Sequence, residues 1–163
     1  STYKNERCVE IPIFWMPTMH NILSRDILEV GNVLSHYVPI SHEVIDKYEE
    51  HDYVWFNEDI LDFKRDKKYK LVISISTLEH IGMNDGNKPE AFLEAVEKLK
   101  SLGEEVVFSV PLRQNPFVDE CLRQGALAEF DIVYLYEKGF LDWEETDSPF
   151  DKKKVVAICR WQE

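Results

Sequence analysis

LVISISTLEHIGMNDGNKPEAFLEAVEKLKSLGEEVVFSVP, residues 71–111, is the stretch in which strand, helix and strand follow one another most plainly. Leu71-Val-Ile-Ser-Ile75 is a continuous β-branched run, and Glu105-Val-Val-Phe-Ser-Val110 is another, stopped by Pro111. Between them apolar side chains fall at Phe92, Leu93, Val96 and Leu99, the spacing of one helical face. Pro89-Glu90 opens that helix and Gly103 is expected to close it as a C-terminal glycine. Two strands joined by such a helix pair in parallel through a right-handed crossover.

Working outward, the same kind of run recurs. Asp26-Ile-Leu-Glu-Val30, Glu43-Val-Ile-Asp46 and Tyr53-Val-Trp-Phe56 precede the opening stretch; Asp131-Ile-Val-Tyr-Leu-Tyr136 and Lys154-Val-Val-Ala-Ile-Cys159 follow it. Continuous apolar runs, rather than strict alternation, are what a parallel sheet covered on both faces requires. The expected fold is therefore α/β, with seven strands. The links among the first three runs are too short for full crossover helices, which need roughly 10 residues or more, so those helices are expected to be abbreviated. Val9–Leu23, with Ile11, Ile13, Phe14, Trp15, Met16 and Met19, is expected to cover the sheet as an apolar arm or short helix. Glu137–Asp151 is polar and acidic around Trp143 and Phe150, and is expected to form a loop or lid.

The 163 residues suit one domain, and the net charge of −12 makes a poor partner for phosphate backbones or anionic lipid, so neither nucleic acid nor membrane is expected. No apolar run approaches the roughly 20 residues that span a bilayer, and no signal-like segment opens the chain. The start at Ser1 without a methionine is expected of a trimmed N-terminus. Cys8, Cys121 and Cys159 are sparse, odd in number and far apart, which points to a reducing compartment; the cytosol is the expected location. Cys159 reads as core.

Ligands of open parallel sheets bind beyond the carboxyl ends of the strands. The segments there are Glu29-Val-Gly31-Asn32, Asp46-Lys-Tyr48, Asn57-Glu-Asp59-Ile60 and Ser76-Thr-Leu-Glu-His80. With the flanking runs and Val107-Phe-Ser-Val-Pro111, this order resembles the class I S-adenosylmethionine-dependent methyltransferases, and is most similar to small methyltransferase-like proteins of bacterial surface-sugar biosynthesis. The likeness covers roughly residues 26–112. It implies a Rossmann-like seven-stranded methyltransferase sheet ordered 3-2-1-4-5-7-6, with strands 1–5 parallel and the last strand antiparallel. It divides a single domain into a cover segment (1–25), a cofactor-binding half (26–112) and an acceptor-side half (113–163).

The resemblance makes S-adenosylmethionine the expected cofactor. Glu29, Gly31 and Asn32 would form its first loop, Asp46 would accept the ribose hydroxyls, and Asp59 with Ile60 would face adenine. Ser76, Thr77 and His80 fall where a reactive methyl would sit, with Thr77, Arg113 and Asn115 toward the acceptor. His80 is either a general base toward a substrate hydroxyl or a structural histidine. Asp59 also reads as a turn or helix N-cap, a role compatible with facing adenine, and Glu29, inside an apolar strand, needs a partner. No metal is expected, because Ser76 stands where a Glu-x-x-Glu-His site has its first Glu. The expected reaction is methyl transfer to an oxygen of a small, possibly sugar-like acceptor. The family's first loop carries several glycines, however, whereas Gly31 is followed by Asn32-Val-Leu-Ser-His36. Either Asn32, Ser35 and His36 substitute for them, or cofactor affinity is lost; a catalytically silent binding or scaffold protein of the same fold is thus the alternative.

Overall fold

In the computed structural model, which describes residues 6–19, 24–83, 86 and 88–163, the segment 71–111 folds as its sequence predicts. Strand β3 (Tyr69–Ile75) leads through a short 3₁₀ turn to helix α2 (Ala91–Leu102) and on to β4 (Gly103–Pro111). Before them come α1 (Arg7–Met19), β1 (Ile27–Val30) and β2 (Glu43–Ile45); after them α3 (Pro116–Arg123), β5 (Asp131–Gly139), β6 (Asp142–Glu145) and β7 (Val155–Gln162). The sheet order is β2-β1-β3-β4-β7-β5-β6. β2, β1, β3 and β4 are mutually parallel, and β7 is antiparallel to both β4 and β5.

Two features depart from the expected strands. Tyr53–Phe56 makes one parallel bridge, Phe56 to Ile45, in place of a third strand. β2 is only three residues long, and Asp46 then turns the chain away, so there is little backbone left to pair with. Tyr53 and Trp55 accordingly stay exposed. The seventh strand is supplied by β6, in the segment expected to be a loop. It forms a hairpin with β5 through Leu141 at φ 58°, and only Trp143 of its four residues is not exposed. A lone apolar position in an acidic edge strand leaves no alternation to read.

Gly103 also behaves differently from a usual C-terminal glycine. Its φ is −124°, so α2 passes straight into β4 without a left-handed turn. The glycine is demanded by packing instead: a Cβ there would lie 2.7 Å from Val72 Cγ2.

Successive residues of the inner strands face opposite layers, as the buried apolar runs imply. Leu71, Ile73 and Ile75 pack with Phe14, Ile27 and Leu34 under α1. Val72, Val106, Phe108 and Val110 pack with Phe92, Val96 and Leu99 of α2 and with Val118 and Leu122 of α3. The apolar arm is thus a helix that closes one face of the sheet; residues 20–23 of the expected segment lie outside the described residues. Burying a side chain such as Phe14 contributes roughly 1.5–3 kcal/mol. Cys159 is a core residue and all three cysteines are free. Among the described residues no helix is long and apolar enough to cross a membrane.

Register decides where the chemistry collects. Val30 pairs with Ile45 on one side and Ser74 on the other, and Ile75 pairs with Ser109. The carboxyl ends of four parallel strands therefore share one rim.

Candidate functional site

That rim holds a cavity of about 380 Å³, within the roughly 300–1,000 Å³ usual for small-molecule pockets. Gly31, Asn32, Asp46, Asp59, Ile60, Ser76, Thr77 and His80 all line it. Glu29, Arg113 and Asn115 do not.

Gly31 is required twice over. Its φ is +85°, and a Cβ would lie 2.3 Å from Thr77 Oγ1. The segment after it is held from beneath by Glu29, which is fully buried. Glu29 Oε1 accepts the N–H groups of Val33 (2.9 Å) and Leu34 (2.8 Å), and Oε2 lies 2.6 Å from Nε2 of buried His42. So Glu29 shapes the loop and does not face the cavity; the partner that its burial demanded is His42. Asn32 donates its backbone N–H to Asp46 Oδ2 (2.9 Å) and its side-chain amide to Glu49 Oε1 (2.8 Å), while Ser35 donates to Asn32 Oδ1 (2.6 Å).

Asp46 ends β2 and organises the turn that follows. Its Oδ1 accepts the N–H groups of Tyr48 (2.9 Å) and Glu49 (2.8 Å). Asp59 caps the next turn through the Leu61 N–H (2.9 Å) and pairs with Lys47 Nζ at 3.0 Å. Val30, Ile45, Ile60 and Ile81 add apolar wall between these acids and the far end.

At the end of β3 the backbone is strained: Ser76 has φ 42°, a region that costs a non-glycine residue on the order of 1–3 kcal/mol. Its N–H donates to Ser109 O (3.0 Å), and its hydroxyl donates to Glu10 Oε1 (2.6 Å). Ser109 donates to the same oxygen at 2.5 Å. Arg7, also from α1, lines the cavity and donates from Nη1 to Glu10 Oε2 (3.1 Å) and Ile75 O (3.2 Å). Burial raises the Glu10 carboxyl above its ordinary range, against the opposing pull of Arg7 and the two hydroxyls.

Glu79 lies beside this group. Its carboxyl is 2% exposed, and Oε2 has no hydrogen-bond partner among the described residues. Burial pushes it up to about 8, and nearby Glu10 adds to the effect. His80 is 61% exposed in its side chain, with Nε2 3.6 Å from Glu79 Oε1, too far for a hydrogen bond. The imidazole faces cavity and solvent together.

Of the three residues expected toward the acceptor, Thr77 lines the cavity, while Asn115 and Arg113 make contacts within the fold away from it. Asn115 is the N-cap of α3, its Oδ1 accepting the Phe117 N–H (3.0 Å) and its amide donating to Glu79 O (2.8 Å). Arg113 donates to the carbonyls of Lys153 and, at 3.0 Å, Phe150. Both lie beyond β4, where α3 begins away from the cavity. Sequence reasoning in turn missed Arg7, Lys47, Tyr48 and Glu58 in the lining. Lys47, Tyr48 and Glu58 adjoin residues it did identify; Arg7 arrives from a distant helix and has no local signal.

No protein-family model and no curated protein matches the sequence. Solved structures do match in fold. The N-methyltransferase NodS from Bradyrhizobium japonicum WM9, in complex with S-adenosyl-L-homocysteine, has a TM-score of 0.56 at 14% identity, over 97% of this chain and 86% of that one. The glycopeptide N-methyltransferase MtfA, also complexed with S-adenosyl-L-homocysteine, has a TM-score of 0.54 at 12% identity, over 99% and 91%. An rRNA methylase from Escherichia coli has a TM-score of 0.52 at 17% identity, over 97% of this chain and 65% of its own. The chain thus has the fold of the class I methyltransferases. The bridge at Phe56 stands in place of the expected third strand; the observed order then follows 2-1-4-5-7-6 of the expected one, with β6 added at the far edge.

Proposed function

We propose that the rim cavity binds S-adenosylmethionine and that the protein transfers its methyl group to an oxygen of a small, sugar-like acceptor. The observation that carries this reading is the convergence of four strand-end segments on one cavity: Gly31 and Asn32, then Asp46, then Asp59 with Ile60, then Ser76 through His80. The donor set suits an adenosyl ligand. Asp46 Oδ2 engages the Asn32 N–H, and a carboxylate oxygen accepts more than one donor, so a ribose hydroxyl can be added. Ile45 and Ile60 offer apolar contact for a purine, with the Asp59 side adjoining.

When bound, the cofactor supplies an electrophilic methyl group. The chain's own residues supply alignment, which accounts for much of the rate of such a displacement. The Gly31–Thr77 contact fixes the loop against the end of β3. His80 accepts the acceptor's hydroxyl proton at a position open to solvent.

The second reading, a catalytically silent binding or scaffold protein, is favoured by one observation: the loop's backbone N–H groups are engaged by Glu29 and Asp46. Calorimetry decides between them. Wild-type protein is expected to bind S-adenosylhomocysteine, and Asp46→Ala to weaken that binding by about 1–3 kcal/mol through loss of a charged acceptor. No heat of binding at millimolar ligand would leave the scaffold reading in place.

A further inference from the structure

The outer edge of the sheet on the β2 side carries an aromatic face that takes no part in the cavity. β2 ends the strand order there, and the chain after it lies alongside through the Phe56–Ile45 bridge, with no strand beyond it among the described residues. Exposure alternates along this segment: Tyr53 (41%) and Trp55 (56%) are exposed, while Val54 and Phe56 are half-buried. The rings beside them are ordered. Tyr53 stacks on His51 with centroids 5.5 Å apart and planes 15° apart, and His51 meets His36 edge-on at 5.8 Å. His36 Nε2 lies 2.9 Å from Glu49, whose carboxyl also accepts the Asn32 side-chain amide at 2.8 Å.

A single exposed ring is ordinary on a protein surface, and acidic residues at a sheet edge keep other strands away. Neither explains a held row of rings, whose apolar area is costly to leave in water. Tyr and Trp are the side chains that anchor protein interfaces, and rings already held lose little freedom on binding. The surrounding charge says which partner fits. Residues 46–62 carry seven acidic side chains against one lysine, a net −6 that is half of the chain's −12. Asp46 is occupied by backbone N–H groups and Asp59 by Lys47. Glu50 and Asp52, which adjoin the rings in the chain, are exposed and have no cation paired with them among the described residues. A second copy of the chain would bring like charge to this edge, and a phosphate backbone or anionic lipid would bring more. Arginine and lysine side chains suit both parts of the surface, because they pair with carboxylates and stack over aromatic faces.

We propose that the Tyr53–Trp55 edge is a docking surface for a partner protein that lays a short, extended segment bearing arginine and lysine across it. None of His36, His51, Tyr53 and Trp55 lines the cavity, so the surface is independent of what the cavity binds. An open sheet edge receives an extended segment along its length. Alternate side chains of that segment reach the same face, which lets successive cations meet the rings and the carboxylates beside them.

The test uses the full chain and a short peptide of alternating arginine and threonine, with a glutamate-for-arginine peptide as control. An NMR titration of labelled protein is expected to show saturable shift changes centred on His36, His51, Tyr53 and Trp55, and none with the control. Tyr53→Ser combined with Trp55→Ser leaves every charge in place and should weaken the arginine peptide about tenfold through loss of ring contacts. Glu50→Gln with Asp52→Asn should weaken it severalfold at low salt and little at high salt, where exposed charges are screened. Glu144→Gln with Glu145→Gln, at the opposite edge of the sheet, should leave binding within about twofold. All these positions are exposed, and Tm values near wild type confirm that the variants fold. Equal affinity of the serine variant and wild type would overturn the proposal, since general attraction to an acidic surface would then account for the binding. Shift changes spread over the other acidic segments, or no binding at all, would overturn it too. Concentration-dependent dimerisation of wild-type protein that Trp55→Ser abolishes would assign the edge to a second copy and overturn the basic partner.

Discussion

Two buried glutamates at different places on the sheet meet opposite fates. Glu43, at the start of β2, lies beside Tyr69 at the start of β3. It accepts the Tyr69 O–H at 2.5 Å and is approached by Arg65 Nη2 (3.3 Å) and Lys67 Nζ (3.4 Å). Burial alone would raise its carboxyl, but these donors outweigh burial and hold it below the ordinary range. Tyr69 is pushed the other way, up to about 12, by its own burial and by the bond to Glu43. Glu79, after the end of β3, has no donor for Oε2 among the described residues, and burial pushes its carboxyl up to about 8. One end of the strand is saturated with partners. The other combines an acid with one oxygen unpartnered among the described residues, a seryl residue at φ 42° and a solvent-facing histidine beside a cavity. Stability has been relinquished where a ligand is expected, which is the usual location of such local costs.

The sharpest way to separate the two ends is to ask which one moves rate and which moves stability. His80→Ala is expected to lower turnover by roughly a hundredfold if the imidazole takes the acceptor's proton, with cofactor affinity near wild type. A variant with full activity and only a lower Tm would retire His80 from catalysis. Tyr69→Phe is the matching change at the saturated end. It removes a donor from a buried carboxylate and should cost about 1–3 kcal/mol in denaturant unfolding. Turnover per folded molecule should be unaltered; a large fall in kcat would break the comparison.

The smallest effect concerns pH. Glu79 keeps its proton in the folded state up to about 8, whereas the unfolded carboxyl releases it near its ordinary value. The folded state therefore binds more protons across that window, and this residue makes stability fall as pH rises from about 4.5 to about 8. Glu43 has the opposite sign: its contribution is present above the ordinary carboxylate range and is lost as pH falls through its lowered value. Glu79→Gln should be more stable than wild type at the alkaline end, by on the order of 1–2 kcal/mol, and should flatten the slope. Equal slopes for variant and wild type would show that Glu79 is ionised in the fold.

The sequence alone was enough for the α/β class, the opening crossover, the parallel direction of the inner strands and the rim on which polar residues collect. Each of these follows from local patterns: runs of β-branched residues, a helical face at Phe92–Leu99, and polar residues placed just after strands. That Gly31, Asp46 and His80 line the rim cavity was legible for the same reason, since position after a strand is a one-dimensional property. Tertiary structure decided the rest. Whether Tyr53–Phe56 became a strand depended on how much of β2 remained to pair with, and the edge strand Asp142–Glu145 needed β5 beside it. Glu29 turned inward because His42, thirteen residues on, came to lie 2.6 Å away. Arg7 and Glu10 reached the end of β3 only because α1 folds back over the sheet, bringing Glu10 to Ser109 across 99 positions of chain. No spacing rule records such a contact: burial makes these partners necessary, but only the packing of a distant helix determines which they are.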